Sequence, residues 1–462
     1  MLLLTLALLF QPATQPASEP IPADRGSVIF VHPDGAGAAT WAAARMRYVG
    51  PDADLNWDLL PEVAVYRGHM RNSLTGTSNG GATIHAYGLK VDHDAFGRDR
   101  GGDGGAEPTD VDGQSLSVGK QAIAAGIATG VVQSGAAIEP GTAVFLADAP
   151  LRKDYDLITK GLLESGAAVI LGGGERDFLP DGVEGVHGPG GRDDNENLIE
   201  FAKAKGYQIV YTRAELLALP ADTEKVLGLF ASRHTFNDKS EEELRAAGLP
   251  NYDPDAPTVA EMTDVALRIL GRGGRQFLLV VEEEGTDNFG NRNNANAVLE
   301  AAKRADDALG VARRFLREHP QTLLLTTADS DGGGMRPVGF PIRSEADIPG
   351  TVPPRDFNGA PLDGTTGTAG PPFMSAPDRF GRSLPFAIAW SSKNDVAGGI
   401  LVRADGFNSH FVRGSVGEHH ARGSVTVRCQ STSIAVSSGL SPRSLVSHGS
   451  AARSNDWRRP SA

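Results

Sequence analysis

Two kinds of apolar spacing alternate along the chain. Short apolar runs at 28–31 and 168–171 read as strands, the continuous run at 277–281 has the profile of a strand covered on both faces, and 322–327 reads as the next strand. Elsewhere the spacing is helical. Val259, Met262, Leu267 and Leu270 mark a helix over 258–270, and Ala295, Val298, Leu299 and Ala302 mark one side of a longer helix over 295–318. Weaker signals predict helices at 40–48, 117–126, 156–165 and 200–205, and strands at 63–70, 128–132, 208–211, 227–230, 387–390 and 400–403. Repeated alternation of strand and helix predicts an α/β fold on a mainly parallel sheet. The stretch 94–112, dominated by Gly and Asp, and the Gly- and Pro-rich stretch 350–372 read as loops. In the first of these, Asp99, Asp103, Asp110 and Asp112 do not follow a calcium-loop spacing.

Composition narrows the class. A chain of 462 residues holds one large α/β domain with insertions or two smaller ones. With 40% hydrophobic and 22% charged residues it is neither disordered nor fibrous in bulk. The formal net charge of -13 argues against nucleic acid as a partner, while leaving room for a local positive pocket that takes phosphate. A single cysteine, Cys429, excludes an intramolecular disulfide. Residues 1–10 are apolar and 11–22 are rich in Pro and Ala, so 1–24 reads as a signal segment and leader, with export to a periplasmic or extracellular space. The run is too short to span a membrane, which takes about 20 residues. From residue 429 onward Ser, Arg and Ala dominate, which predicts an atypical, disordered tail.

Carboxylates recur directly after the predicted strands: Asp34 after the first, Glu282 and Asp287 after 277–281, and Asp329 after 322–327. Open α/β sheets bind ligands at strand carboxyl ends, and carboxylates there suit divalent cations. A buried strand ending in Glu282, Glu283 and Glu284 must deliver some of those charges to solvent or to cations. The stretch TGTSNGGATIHAYGLK at 75–90 leads from glycines and small polar residues into a helix-compatible run. Ser78 therefore falls at a helix N-terminus, either as a receptor for an oxyanion or as an ordinary N-cap. His234 is read as a surface residue.

The order and separation of these blocks resemble the alkaline phosphatase family over roughly residues 26–415. Val31-His32-Pro33-Asp34-Gly35-Ala36-Gly37 is similar to the family's opening "GDGMG" turn. Residues Ser78 to Lys90 match its nucleophile helix, with Ala82, Thr83, Gly88 and Lys90 in register. Val169 to Gly174, Val281 to Asp287 ("VEGGxID") and Thr326 to Asp329 ("VTAD") match further blocks. The resemblance implies a three-layer fold over 25–428, with a central mostly parallel sheet and helices on both faces. It implies a small phosphate ester as substrate, divalent cations (magnesium and zinc) as cofactors, and a possible homodimer.

Site roles follow from the same resemblance. Ser78 is the implied nucleophile; Thr77, which stands where the family has Asp, is the alternative. Asp34 is the implied bridging carboxylate, Glu282 and Thr142 the magnesium ligands, and Asp287 and Asp329 further metal carboxylates. Pro140 stands where the family has another ligand, with Glu139 beside it as a possible replacement. The arginine that clamps phosphoryl oxygens corresponds to Lys153 by spacing, with Arg152 next to it as the alternative. Three positions depart from the pattern: Asn291, Ser330 and Asp395 stand where the family has zinc histidines, with Asn394 as an alternative to Asp395. An oxygen-rich set weakens zinc binding and favours magnesium or calcium. Lys90 is expected to be structural, and His69, His85 and His93 receive no role.

The expected reaction is metal-dependent phosphomonoester hydrolysis through a phosphoserine. One alternative is a scaffold that has lost efficient catalysis and binds metal or phosphate. Another is a phosphodiesterase on the same scaffold. No cysteine in the Ser78 block can mature into a sulfatase nucleophile.

Overall fold

The computed structural model describes residues 25–414, so the expectations for 1–24 and 429–462, Cys429 included, lie outside the described residues. Its strands are β1 (Ser27–Pro33), β2 (Glu62–Val65), β3 (Ala128–Ala136), β4 (Val169–Gly173), β5 (Gln208–Val210), β6 (Val226–Leu229), β7 (Phe277–Glu283), β8 (Thr322–Thr326), β9 (Arg336–Gly339), β10 (Leu362–Gly364), β11 (Gly367–Thr368), β12 (Phe373–Met374), β13 (Pro385–Ala389) and β14 (Leu401–Gly406). Nine form one sheet in the order β2-β14-β8-β1-β7-β3-β4-β6-β5. From β8 to β5 neighbours run parallel, and β14 and β2 close one edge antiparallel.

Alternation along the central strands feeds two cores. Val28 and Phe30 of β1 pack with Leu278 and Val280 of β7 on one face, and Ile29 and Val31 pack with Leu279 and Val281 on the other. The helix Ser78–Tyr87 contributes Ala82 and Ala86 to the first core. Helices Val259–Leu270 and Ala295–Glu318 contribute to the second, through residues such as Met262 and Leu309. A sheet apolar on both faces is thus covered on both, giving the expected three-layer α/β arrangement.

The structure corrects three expectations. The strand at 387–390 does not join the main sheet: β13 is the centre of a separate five-stranded sheet with β9, β10, β11 and β12. Parts of 350–372 form β10 and β11, whose pairing of two or three residues leaves no periodicity to read. The run at 63–70 is a strand only through Val65, and the chain then turns irregularly toward Ser78. The loop aspartates of 94–112 largely serve their own backbone, Asp99 accepting from Ala106 N–H and Asp110 from the N–H groups of Asp112 and Gln114.

Candidate active site

Parallel register brings three strand ends together. His32 pairs across β1–β7 with Glu282, and Val31 pairs with Val281 on one side and Thr326 on the other. Asp34, Glu282 and Asp329 therefore emerge at one end of the sheet, all buried. Asp34, Glu282 and Glu284 each offer a ligand atom within 4.8 Å of the others, and so do His32, Asp34 and Asp329.

Many of these atoms lack a protein partner. Neither oxygen of Asp34 or of Asp329 is hydrogen-bonded, nor are Glu282 Oε1, Glu284 Oε2 and Asp287 Oδ1. Burying unpartnered carboxylate oxygens is costly, and a divalent cation bound by hard oxygen donors removes that cost. The donor set fits magnesium or a similar ion, with Asp34 shared between two groups of ligands. Burial and mutual repulsion push Asp34, Glu284 and Asp287 well above the usual carboxylate range, the repulsion on Asp34 coming from Asp329, Asp287 and Glu284. Burial also disfavours ionised Asp329, but the neighbouring His32, Asp34 and His85 outweigh it and hold Asp329 low.

The helix Ser78–Tyr87 supplies the candidate nucleophile. Its N-cap is Thr77, not Ser78. Thr77 Oγ1 accepts from Gly80 N–H at 3.2 Å and donates to the His93 carbonyl at 2.5 Å, so both of its roles are taken by capping. Ser78 is the first helical residue, buried, and its hydroxyl makes no hydrogen bond to another described residue. One turn on, Gly81 lies against Asp329 so closely that a Cβ there would overlap the carboxylate. Residues three apart share a helix face, so the turn that begins at Ser78 faces Asp329. Lys90 donates to the carbonyls of Arg67 and His69, both at 2.6 Å, and ties the loop before the helix.

Thr142 sits in the single turn Pro140–Ala143, which Pro140 opens at a position that needs no N–H donor. Gln133 connects Thr142 to Glu282, its amide nitrogen lying 3.5 Å from Thr142 Oγ1 and bonding Glu282 Oε2. Glu139 forms an ion pair with Arg152. The Arg152 side chain is 41% exposed; crowding by protein atoms opposes its charge, but Glu139, Glu284 and Asp34 together hold the guanidinium protonated. Lys153 is exposed and has no ion pair among the described residues. His234 is half-buried rather than free on the surface: its Nδ1 accepts from Ala136 N–H at 3.1 Å, and its ring stacks on Phe236.

The third group is built differently. Asn291 Nδ2 donates to Asp287 Oδ2 at 2.9 Å and to Asp395 Oδ1 at 2.8 Å, while its own oxygen accepts from Gly333 N–H at 3.1 Å. An amide thus bridges the two carboxylates, and its oxygen is committed to the backbone. Asn394 is exposed, and Asp395 is the one that faces Asn291. Ser330 Oγ is buried without a partner.

Sequence reasoning missed three residues at this site. Of the three consecutive glutamates, all are buried: Glu283 Oε1 accepts from Ser134, Tyr252 and Gly285 N–H while its Oε2 has no partner, and Glu284 joins the group of candidate ligands. His32 lies among Asp34, Asp329 and Glu282, and His85 packs edge-on against it with ring centroids 5.0 Å apart. The carboxylates around His32 outweigh the effect of burial and push its pKa up to about 9, while burial and His32 push His85 down to about 3. A usable signal existed for His32: two residues before Asp34 on a strand, it shares that residue's face.

The alkaline phosphatase family model matches residues 26–361. A membrane-bound alkaline phosphatase of Bombyx mori is 28% identical over 424 residues, spanning 80% of this chain and 72% of that protein. The alkaline phosphatase of Escherichia coli (strain K12) is 27% identical, spanning 66% of this chain and 69% of its own. Among solved structures, Thermus thermophilus alkaline phosphatase superposes with a TM-score of 0.61 at 22% identity, covering 88% of this chain and 92% of that one. A mutant of TAB5 alkaline phosphatase with Mg bound in its M3 site gives a TM-score of 0.59 at 20% identity, covering 82% and 90%.

Proposed function

This chain belongs to the alkaline phosphatase family and is a phosphomonoester hydrolase, and we propose that it works through Ser78 as a covalent nucleophile. Ser78 Oγ attacks phosphorus while the bond to the departing alcohol oxygen breaks, leaving phosphoserine and the alcohol. Water then attacks the phosphoserine phosphorus, releasing inorganic phosphate and restoring Ser78. Asp34, Glu282, Glu284, Thr142 and Asp329 would hold divalent cations, which would acidify the attacking hydroxyl and offset charge on the phosphoryl oxygens. Arg152 forks onto the nonbridging oxygens, exchanging part of its contact with Glu139. Magnesium is the preferred ion of the oxygen-only part of the site. The reading includes export, on the apolar run at 1–10, and a homodimer.

The observation that carries this reading is the set of buried, unpartnered oxygens of Asp34 and Asp329 beside the helix turn that opens with Ser78. The test is hydrolysis of p-nitrophenyl phosphate by metal-stripped protein refilled with magnesium, zinc or calcium, alongside Ser78→Ala. Restored activity, with a phosphorylated Ser78 peptide in acid-quenched samples, is the expected result. Stoichiometric cation binding with no hydrolysis under any refill overturns it.

A second reading is a weakly catalytic scaffold, favoured by one observation. The Asn291 amide already joins Asp287 to Asp395, where the resemblance implies a cation near the leaving group. Asn291→His distinguishes the two: a large gain in zinc-dependent turnover supports the weak scaffold, and an unchanged or lower rate supports a site that works with the amide.

A further inference from the structure

Resting on the reading of this site as a cation centre, we infer that His32 is a nitrogen ligand of the cation held by Asp34 and Asp329. It takes the part that a histidine at position 330 would otherwise play.

Three observations converge on His32. Its ring is fully buried, and neither nitrogen has a hydrogen-bond partner. A buried imidazole normally satisfies at least one nitrogen, so the ring is aimed at something the protein itself does not supply. Second, Nε2 lies 3.7 Å from Asp34 Oδ1 and 3.8 Å from Asp329 Oδ1. These separations are too long for hydrogen bonds. They come within a few tenths of an ångström of the ~3.4 Å edge between ligand atoms held ~2.0–2.1 Å from a tetrahedral ion. Third, the opposite nitrogen, Nδ1, faces Glu282 Oε1 at 3.3 Å. Metal-bound histidines characteristically give their other ring N–H to a carboxylate, which fixes the tautomer and raises ligand basicity. Here Glu282 Oε1 stands on the side of the ring where that carboxylate belongs.

The fold explains how the ligand reaches the centre from a new direction. Position 330 follows Asp329 beyond β8 and carries only the Ser330 hydroxyl, itself buried and unpartnered. His32 comes from β1, the strand next to β8 in the sheet, on the same face as Asp34. Phe30 stacks near one side of the ring at 6.0 Å, and His85 packs edge-on at 5.0 Å. His85, also buried and without a hydrogen-bond partner on either nitrogen, is a positioning residue that limits rotation of the His32 ring. One imidazole among carboxylates shifts the site's preference from magnesium toward zinc at this position, while the group of Asp34, Glu282 and Glu284 stays all-oxygen.

The test uses the full chain labelled with 15N-histidine and loaded with 113Cd as a zinc surrogate, together with zinc affinities from chelator competition. A one-bond 113Cd–15N coupling is expected in the unmodified protein and absent in His32→Gln, with zinc affinity at least ~10-fold lower in the variant. Ser330→His added to His32→Gln should restore both the coupling and the affinity, which a merely structural loss would not allow. Circular dichroism of the metal-stripped forms checks that each variant folds. Cation binding that depends on Asp34 but is unchanged by His32→Gln, without coupling, overturns the inference and leaves the proposed function standing. Loss of all cation binding in the folded, unmodified protein overturns both.

Discussion

Gly141 lies directly over the carboxylate of Glu282, so that a Cβ at Gly141 would overlap Glu282 Oε1. The backbone of the Pro140–Ala143 turn can approach a buried acid only because that position has no side chain. Gly141→Ala must move either the turn, with Thr142, or the carboxylate. Overpacking of this kind costs about 1–3 kcal/mol. The expected outcome is a lower melting temperature and a magnesium affinity reduced more than tenfold, read by calorimetric titration; an alanine variant with unchanged magnesium affinity would remove Glu282 and Thr142 from the cation site.

Thr77 and Ser78 should separate cleanly. Thr77→Ala loses the cap to Gly80 and the bond to His93, at a cost of roughly 1 kcal/mol, and retains a phosphorylated residue 78. Ser78→Ala keeps the cap and its stability and forms no phosphoenzyme. Thermal melts with mass spectrometry of acid-quenched protein give both readouts. Phosphate on Thr77 would reverse the assignment.

Arg152 and Lys153 make opposite predictions for phosphate binding. Arg152 is paired with Glu139 and lies in the field of Glu284 and Asp34, whereas Lys153 points no charge at any described acid within ion-pair distance. Arg152→Ala is expected to weaken competitive inhibition by inorganic phosphate about 10- to 100-fold, in line with the loss of a bidentate charge-assisted contact. Lys153→Ala should change it less than twofold.

Stability should carry a pH signature away from the site. Burial pushes Glu241 up to about 8, although its oxygen accepts from Asn296 N–H at 3.1 Å. A carboxyl raised in the folded state holds its proton where the unfolded chain has released it. Its ionisation therefore removes stability as pH rises from the unfolded value near 4.5 through about 8. Glu241→Gln keeps an acceptor and cannot ionise. Its stability should be close to that of the unmodified protein at pH 5 and exceed it progressively by pH 9, by several kcal/mol at about 1.4 kcal/mol per pH unit, read as a rising difference in melting temperature. A constant offset across that range would show that Glu241 is not the group responsible.

How much of this was legible depended on length and on chemistry. Long periodic segments were readable: the helix expected at 295–318 is observed as Ala295–Glu318, and the run at 277–281 as β7, because burial on one or both faces imposes a period that a linear reading can detect. Of the small sheet only β13 was readable, as the run at 387–390, because its partners β9 to β12, of two to four residues, carry too few positions to show alternation. Acidic residues after apolar strands were recognisable as ligand candidates, since an ionised carboxyl at a buried strand end requires compensation.

From the residues came an α/β plan on a mainly parallel sheet and the strand ends where a ligand would sit, and from the family resemblance they carry came the three-layer arrangement and the contrast between an oxygen-rich site and three missing histidines. Only the folded chain decided which acids converge, which amide closes the Asp287 and Asp395 pair, and that His32 enters the cluster. The reason is register. His32 lies hundreds of residues from Glu282 and Asp329 along the chain, and it is the parallel pairing of β1 with β7 and β8 that sets them side by side. Periodicity tells which face a residue occupies, while the neighbours across that face are chosen by hydrogen-bonded strands that no local pattern specifies.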